Sequence, residues 1–219
     1  LIRQIVISTG AVTTLAGSSV GYSDNPTGTS AQFSSPCGIT TDGTNVYVAD
    51  TFNYRIRQIV IDNGTVTTLA GDGSPGSTDH ATGTSASFND PTGITTDGTN
   101  LYVADHNNHK IRKIVISTGV VTTLAGSGSG GSAIDATGTS ARFRNPCGIT
   151  TNGTNLYVAE KGNHKIRKIV ISTGVVTTIA GSGLYGSTDA TGTSASFFRP
   201  TGITTDGTSL YVADKDNHK

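Results

Sequence analysis

One stretch constrains this chain more than any other. Pro91 to Gly126 reads PTGITTDGTNLYVADHNNHKIRKIVISTGVVTTLAG, and nearly the same text begins again at Pro36, Pro146 and Pro200. The chain also opens inside a copy, at Leu1-Ile2-Arg3-Gln4-Ile5-Val6-Ile7. Ile2, Ile56, Ile111 and Ile166 align, as do Gly38, Gly93, Gly148 and Gly202, with a spacing of 54 or 55 residues. A fixed period near 50 residues marks a propeller blade or a solenoid unit, and it takes precedence over any domain count made from the length of 219 residues.

Turn chemistry divides each period into four short strands. Gly93 to Thr96 is followed by the turn Asp97-Gly98-Thr99-Asn100, then by Leu101 to Asp105. Asp-Gly supplies residues that tolerate the positive φ of a tight hairpin. The turn His106 to His109 leads to Lys110–Ile116, and Ser117-Thr118-Gly119 leads to Val120–Ala125. Each segment is rich in β-branched residues and bounded by turn residues. No helical period occurs, so almost no helix is expected.

The two faces of these strands decide the architecture. Ile111 and Val115 lie on one face, Ile114 and Ile116 on the other; Leu101 and Val103 oppose Tyr102 and Ala104 in the same way. A sheet apolar on both faces must be covered twice, and without helices the cover must be other sheets. Radially stacked four-stranded antiparallel blades meet this demand, whereas a sandwich leaves one polar face per sheet. The expected fold is an all-β propeller over residues 1–219. Its blades span about 36–71, 91–126, 146–181, and 200–219 together with 1–17. The last blade is split between the termini, and its two halves can close a ring or join one chain to another.

A polar segment of about twenty residues follows each fourth strand, for example Asp72 to Asp90. Phe33, Phe88, Phe143 and Phe197 recur in it and read as plugs between neighbouring blades. Its middle differs most between copies. Tyr22, His80, Arg142 and Tyr185 are therefore the candidate partner-binding residues, because loops on a rigid scaffold carry recognition.

The run Leu-Tyr-Val-Ala-Asp, then Asn-His-Lys-Ile-Arg-Lys-Ile, then Gly-Val-Val-Thr-Thr-Leu-Ala-Gly resembles the NHL repeat, as do the Phe-x-x-Pro-x-Gly-Ile segments before it. The resemblance covers essentially the whole chain. It implies a β-propeller, most often six-bladed in that family. It also implies a range of uses, including protein and RNA binding, extracellular sensing and a metal-linked peptide-amidating lyase, so it does not fix a function.

Each recurrent polar residue has a structural reading. His109, His164 and His218 share one position, occupied by Tyr54 in the first copy. One per blade, they are too far apart to share a zinc ion, whose ligands lie at about 2 Å. The pairs Asp50/Asn53, Asp105/Asn108 and Asp214/Asn217, with the variant Glu160/Asn163, read as caps of tight turns rather than as calcium ligands. Asp24, Asp79, Asp135 and Asp189 look isolated among Gly, Ser and Thr. Cys37 and Cys147 share one slot with Thr92 and Thr201 and read as small packed residues, not as a disulfide. Arg3, Arg57, Arg112 and Arg167, with Lys113 and Lys168, read as a solvated stripe paired with the acids at the strand ends.

Composition narrows the function classes. Lys+Arg and Asp+Glu number 15 each and aromatic residues are 6%, which argues against a phosphate-gripping or base-stacking surface, so nucleic acid is not an expected partner. Charged residues are 14%, against roughly 25% in an average domain, and Thr and Gly take their place. No apolar run is long enough to span a membrane. No nucleophile–base set and no phosphate loop stands out. The expectation is a non-catalytic, extracellular or cell-surface binding or structural module. It carries no metal or cofactor and takes a protein or carbohydrate partner through its loops. A self-assembling repeat protein and a metal-dependent lyase are the alternatives.

Overall fold

The computed structural model describes residues 1–218; Lys219, which ends the expected span of the last blade, lies outside them. Among the described residues there is no α-helix, only strands, turns and short 3-10 segments. β1 (Ile2–Ile5) and β2 (Val12–Ala16) form a two-stranded sheet. Three four-stranded sheets follow. The first holds β3 (Pro36–Thr41), β4 (Asn45–Asp50), β5 (Arg55–Val60) and β6 (Val66–Ala70). The second holds β7 (Pro91–Thr96), β8 (Asn100–Asp105), β9 (Lys110–Val115) and β10 (Val121–Ala125). The third holds β11 (Pro146–Thr151), β12 (Asn155–Glu160), β13 (Lys165–Val170) and β14 (Val176–Ala180). β15 (Pro200–Thr205) and β16 (Leu210–Asp214) pair as a final two-stranded sheet. The pairings between these strands are antiparallel and follow chain order.

Side chains local to each turn explain these hairpins. In the β7–β8 turn, one Asp97 carboxylate oxygen accepts the backbone N–H groups of Thr99 (2.9 Å) and Asn100 (2.7 Å). Its other oxygen accepts the Tyr102 hydroxyl at 2.7 Å, while Gly98 takes φ 87°. Asp42 and Tyr47 repeat the arrangement in the first sheet. Burial works against the Asp42 charge, but the bonds from Asn45, Tyr47 and Thr44 outweigh it and hold the carboxyl down at about 2. Tyr54, His109, His164 and His218 end the next turn in the left-handed conformation, with φ of 55 to 57°.

Packing follows the two-faced pattern. Leu101, Val103, Ile114 and Val121 of the second sheet pack on Tyr47, Ala49, Ile56 and Ala70 of the first, around Phe88. The opposite face, Tyr102, Ala104, Ile111 and Ala125, packs on Leu156, Val158, Ile169 and Val176 of the third, around Phe143. Both Phe plugs are fully buried. Inner strands β3, β7, β11 and β15 lie side by side. Their spacing is set by glycine: a Cβ at Gly38, Gly93 or Gly148 would stand 2.2 Å from the carbonyl oxygen of Thr92, Cys147 or Thr201 on the next strand. No side chain fits there.

The fold is thus a β-propeller of four-stranded antiparallel blades, and its fourth blade is split. Within this single chain the two halves are not paired with each other. β1–β2 and β15–β16 remain separate sheets, and the Gly202 Cβ position meets nothing but its own hairpin's Ala213. Ile39, on the inner strand beside the first half-blade, is 54% exposed, whereas its counterpart Ile94 is 5% exposed.

Candidate functional site

The arginines on the third strand of each complete blade give the largest departure from expectation. Arg57, Arg112 and Arg167 are fully buried, not a solvated stripe. Arg112 donates to Asp105 Oδ2 (2.8 Å) on β8 and to Asp79 Oδ1 (2.7 Å) in the connecting segment. It also donates to the carbonyls of Ser87 and Thr78, both at 2.9 Å. Its guanidinium lies 5.0 Å from the centroid of the Phe88 ring. Asp79 is therefore not isolated either: its carboxylate also accepts Thr123 N (2.9 Å) and Thr123 Oγ1 (3.1 Å) on β10. Arg57 with Asp50 and Asp24, and Arg167 with Glu160 and Asp135, repeat the arrangement. A long cation reaches the blade interface because two carboxylates and two carbonyls meet it there, which is what burial of a charge requires. These sockets hold the connecting segments onto the blades.

The turn residues serve the same scaffold. Asn53 and Asn108 donate both to the acid three residues earlier (2.8 and 2.9 Å) and to a connecting-segment carbonyl. Asn163 and Asn217 do likewise with Glu160 and Asp214. His109 and His164 accept, through Nδ1, the backbone N–H groups of Asn145 (3.1 Å) and Arg199 (3.0 Å). Burial, and after it the nearby Arg144 and Arg199, push these two imidazoles below the usual histidine range. Cys37 and Cys147 are free thiols.

A cavity of about 430 Å³ opens at the turns between the second and third strands of the blades, lined by His106, Arg144, Asn145, Lys161, Gly162, His164 and Arg199. It carries three permanent cations and no carboxylate in its lining. Arg199 shares its charge with Asp216 at 3.2 Å. The His106 ring gives its Nδ1–H to the Pro146 carbonyl (2.9 Å), and burial pushes its basicity down. Gly162 makes room for the site, since a Cβ there would stand 2.6 Å from the Arg144 side chain. The other copies place Phe52, Asn107 and Asp216 at that position. A concave site with converging cations suits a carboxylate or another small anion.

The four residues picked from the variable segments do not converge. Tyr22 stacks under Arg55 at 3.7 Å and bonds Thr68. His80 accepts Thr82 N and pairs with Val121 across a short bridge. Arg142 pairs with Ile134. Tyr185 alone approaches the cavity, its ring 5.5 Å from Phe198, which in turn lies 5.7 Å from His164. Sequence reasoning missed Arg144, Lys161 and Arg199. Their signal was present: the two residues inside each Asp-x-x-Asn turn and the two before each blade-opening Pro also differ from copy to copy.

Residues 88–114, from the second plug through β9, match the family model for the NHL repeat. The chain belongs to the NHL-repeat family. It is 32% identical to human NHL repeat-containing protein 2 over 68% of its own length and 22% of that protein. It is 29% identical to Protein SUPPRESSOR OF QUENCHING 1, chloroplastic, of Arabidopsis thaliana over 99% of its length and 22% of that protein. The chain thus spans about a fifth of these relatives. Among solved structures, one described as a nidogen/laminin complex superposes with a TM-score of 0.65 at 19% identity, covering 98% of this NHL-repeat chain and 64% of the other. No helix among the described residues is long and apolar enough to cross a membrane.

Proposed function

We propose that this propeller is a non-catalytic binding module that takes an acidic segment of a protein partner at the Arg144–Lys161–Arg199 cavity. The observation that carries the reading is the concentration of cations around one concave site, on a scaffold whose recurrent arginines at Arg57, Arg112 and Arg167 are paired internally. Gly162 supports it, because it is small where the other copies are not. The titratable groups of the turns are committed to backbone bonds, which supports binding rather than catalysis. A propeller of similar fold occurs in a structure described as a protein–protein complex. Low charge and Thr/Gly richness support an extracellular setting.

Calorimetric titration with a peptide of consecutive glutamates tests this. Saturable binding is expected, weakened by roughly tenfold or more in the Arg144→Glu/Lys161→Glu variant through lost charge pairing. An unchanged affinity in that variant excludes the cavity as the site. Binding of a sulfated oligosaccharide in place of the peptide replaces the protein partner with a glycan.

A further inference from the structure

Two Asn-Gly dipeptides stand where the repeat departs from its own text. At the turn between β11 and β12, Asn152-Gly153 replaces the Asp-Gly of the other copies, Asp42-Gly43, Asp97-Gly98 and Asp206-Gly207. At the turn between β5 and β6, Asn63-Gly64 replaces the Thr-Gly found at Thr9, Thr118 and Thr173. Asparagine is a thermolabile residue. A following glycine makes it more so, since no side chain hinders the glycine nitrogen from reaching the neighbouring amide carbon. The fold treats the two sites differently.

Asn152 and Gly153 are both exposed, and a Cβ at Gly153 would meet nothing within 4 Å. Asn152 Oδ1 accepts the backbone N–H groups of Thr154 (3.2 Å) and Asn155 (2.9 Å). Two donors on that oxygen make Cγ more electrophilic and stabilise the oxyanion that forms when a nucleophile adds there. The Gly153 N–H donates to the Thr151 hydroxyl at 3.0 Å. The amide nitrogen that must leave, Nδ2, rests on the Tyr157 hydroxyl at 3.3 Å. Gly64, in contrast, is buried, and its N–H closes a backbone bond to the Val60 carbonyl at 2.8 Å. That nitrogen is held away from reaction until the turn opens, although Asn63 itself is exposed.

We propose that Asn152 is a site of spontaneous deamidation, which rewrites the third hairpin into the form carried by the other blades, and that the fold protects Asn63 from the same reaction. The Gly153 nitrogen gives up its proton and bonds to Asn152 Cγ. The Cγ–Nδ2 bond breaks, and Nδ2 leaves with that proton as ammonia. Water then opens the cyclic imide. Attack at Cγ gives aspartate; attack at the main-chain carbonyl carbon gives isoaspartate, whose main chain runs through the side chain. The aspartyl product matches Asp97, whose carboxylate accepts both turn N–H groups and the Tyr102 hydroxyl at 2.7 Å. The Tyr157 hydroxyl then changes from acceptor to donor, in a bond strengthened by charge. Isoaspartate instead lengthens the turn by one methylene and loses this cap. The change is one-way and adds one negative charge to a chain whose formal net charge is zero. The turn lies at the opposite end of β11 from Asn145 and the cationic cavity, so the inference does not depend on the binding reading.

The experiment is ageing followed by peptide mass mapping. The whole chain is held in mildly alkaline buffer, folded in one arm and denatured in the other. After digestion, the mass gained when oxygen replaces an amide nitrogen is read at each asparagine. In the folded arm Asn152 should convert about tenfold or more faster than Asn63, because Asn63 must wait for local opening. In the denatured arm the two should convert at similar rates. Equal rates in the folded arm, or an Asn152 that stays intact there, overturn the proposal. Isoelectric focusing of the aged folded chain should show a new acidic isoform that an Asn152→Gln variant lacks; its persistence in the variant overturns the assignment. Asn152→Asp stands for the aspartyl product and folds as the three Asp-Gly hairpins do. It should unfold at a higher denaturant midpoint than the parent, and an equal or lower midpoint overturns the claim that the reaction restores the hairpin.

Discussion

The second blade and the fourth half-blade are written in nearly the same residues, yet one is interior and the other is surface. In the second blade Phe88, Tyr102 and Arg112 are inaccessible; in the fourth, Phe197 is half-buried and Tyr211 exposed. Local sequence is the same, so the difference comes from what surrounds it: the third and fourth strands of the same sheet and the next blade. A propeller blade does not bury itself. It is buried by the blades on either side, which is how repeat proteins distribute their stability.

The sharpest test of that comparison removes the interior cation. Arg112→Ala leaves Asp105 buried without its guanidinium and should destabilise the chain by about 3–5 kcal/mol in denaturant unfolding. Arg3→Ala should leave the dilute chain unchanged, because Arg3 is exposed. Equal losses would show that position, not neighbourhood, sets the cost. Next come the plugs. Phe143→Ala should cost about 3–5 kcal/mol as a cavity forms between two blades. Phe197→Ala should cost less than half as much when measured by the same unfolding curve.

Glycine at the inner strands gives a smaller contrast. Gly93→Ala drives a methyl toward the Cys147 carbonyl and should cost about 1–3 kcal/mol of overpacking. Gly202→Ala meets only the Ala213 methyl at 3.4 Å and should be nearly neutral in thermal melts at low protein concentration. The smallest effect is with pH. The folded pKa of Asp42 is about 2 and those of Asp97 and Asp135 are also lowered, so each contributes stability that is fully present above the unfolded carboxylate value. That contribution fades as pH falls from about 4 toward 2. The denaturant midpoint should drop through this window, and less so in Asp42→Asn.

Much of this fold is legible in the sequence, because β-strand alternation and Asp-Gly turn chemistry act within a few residues. The Phe plugs could be read from recurrence alone. The sockets were not read, although each of their members recurs. A buried arginine contradicts the ordinary expectation for a charged side chain, and Asp79 meets Arg112 across 33 residues of chain. The co-recurrence of an arginine on the third strand of a blade with an acid in every connecting segment was the available clue. The cationic cavity was hidden differently: it combines residues from three blades, and each looks unremarkable in its own copy.

Asp79 binds Arg112 and also reaches forward to Thr123, and everything between them belongs to one turn of the repeat. A tandem duplication or an unequal crossover that adds or removes one whole period therefore carries a complete latch with it. Neither event strands a charge. Blade number in a lineage built on this unit is free to drift by whole steps, while a partial insertion would separate an aspartate from its arginine and be eliminated.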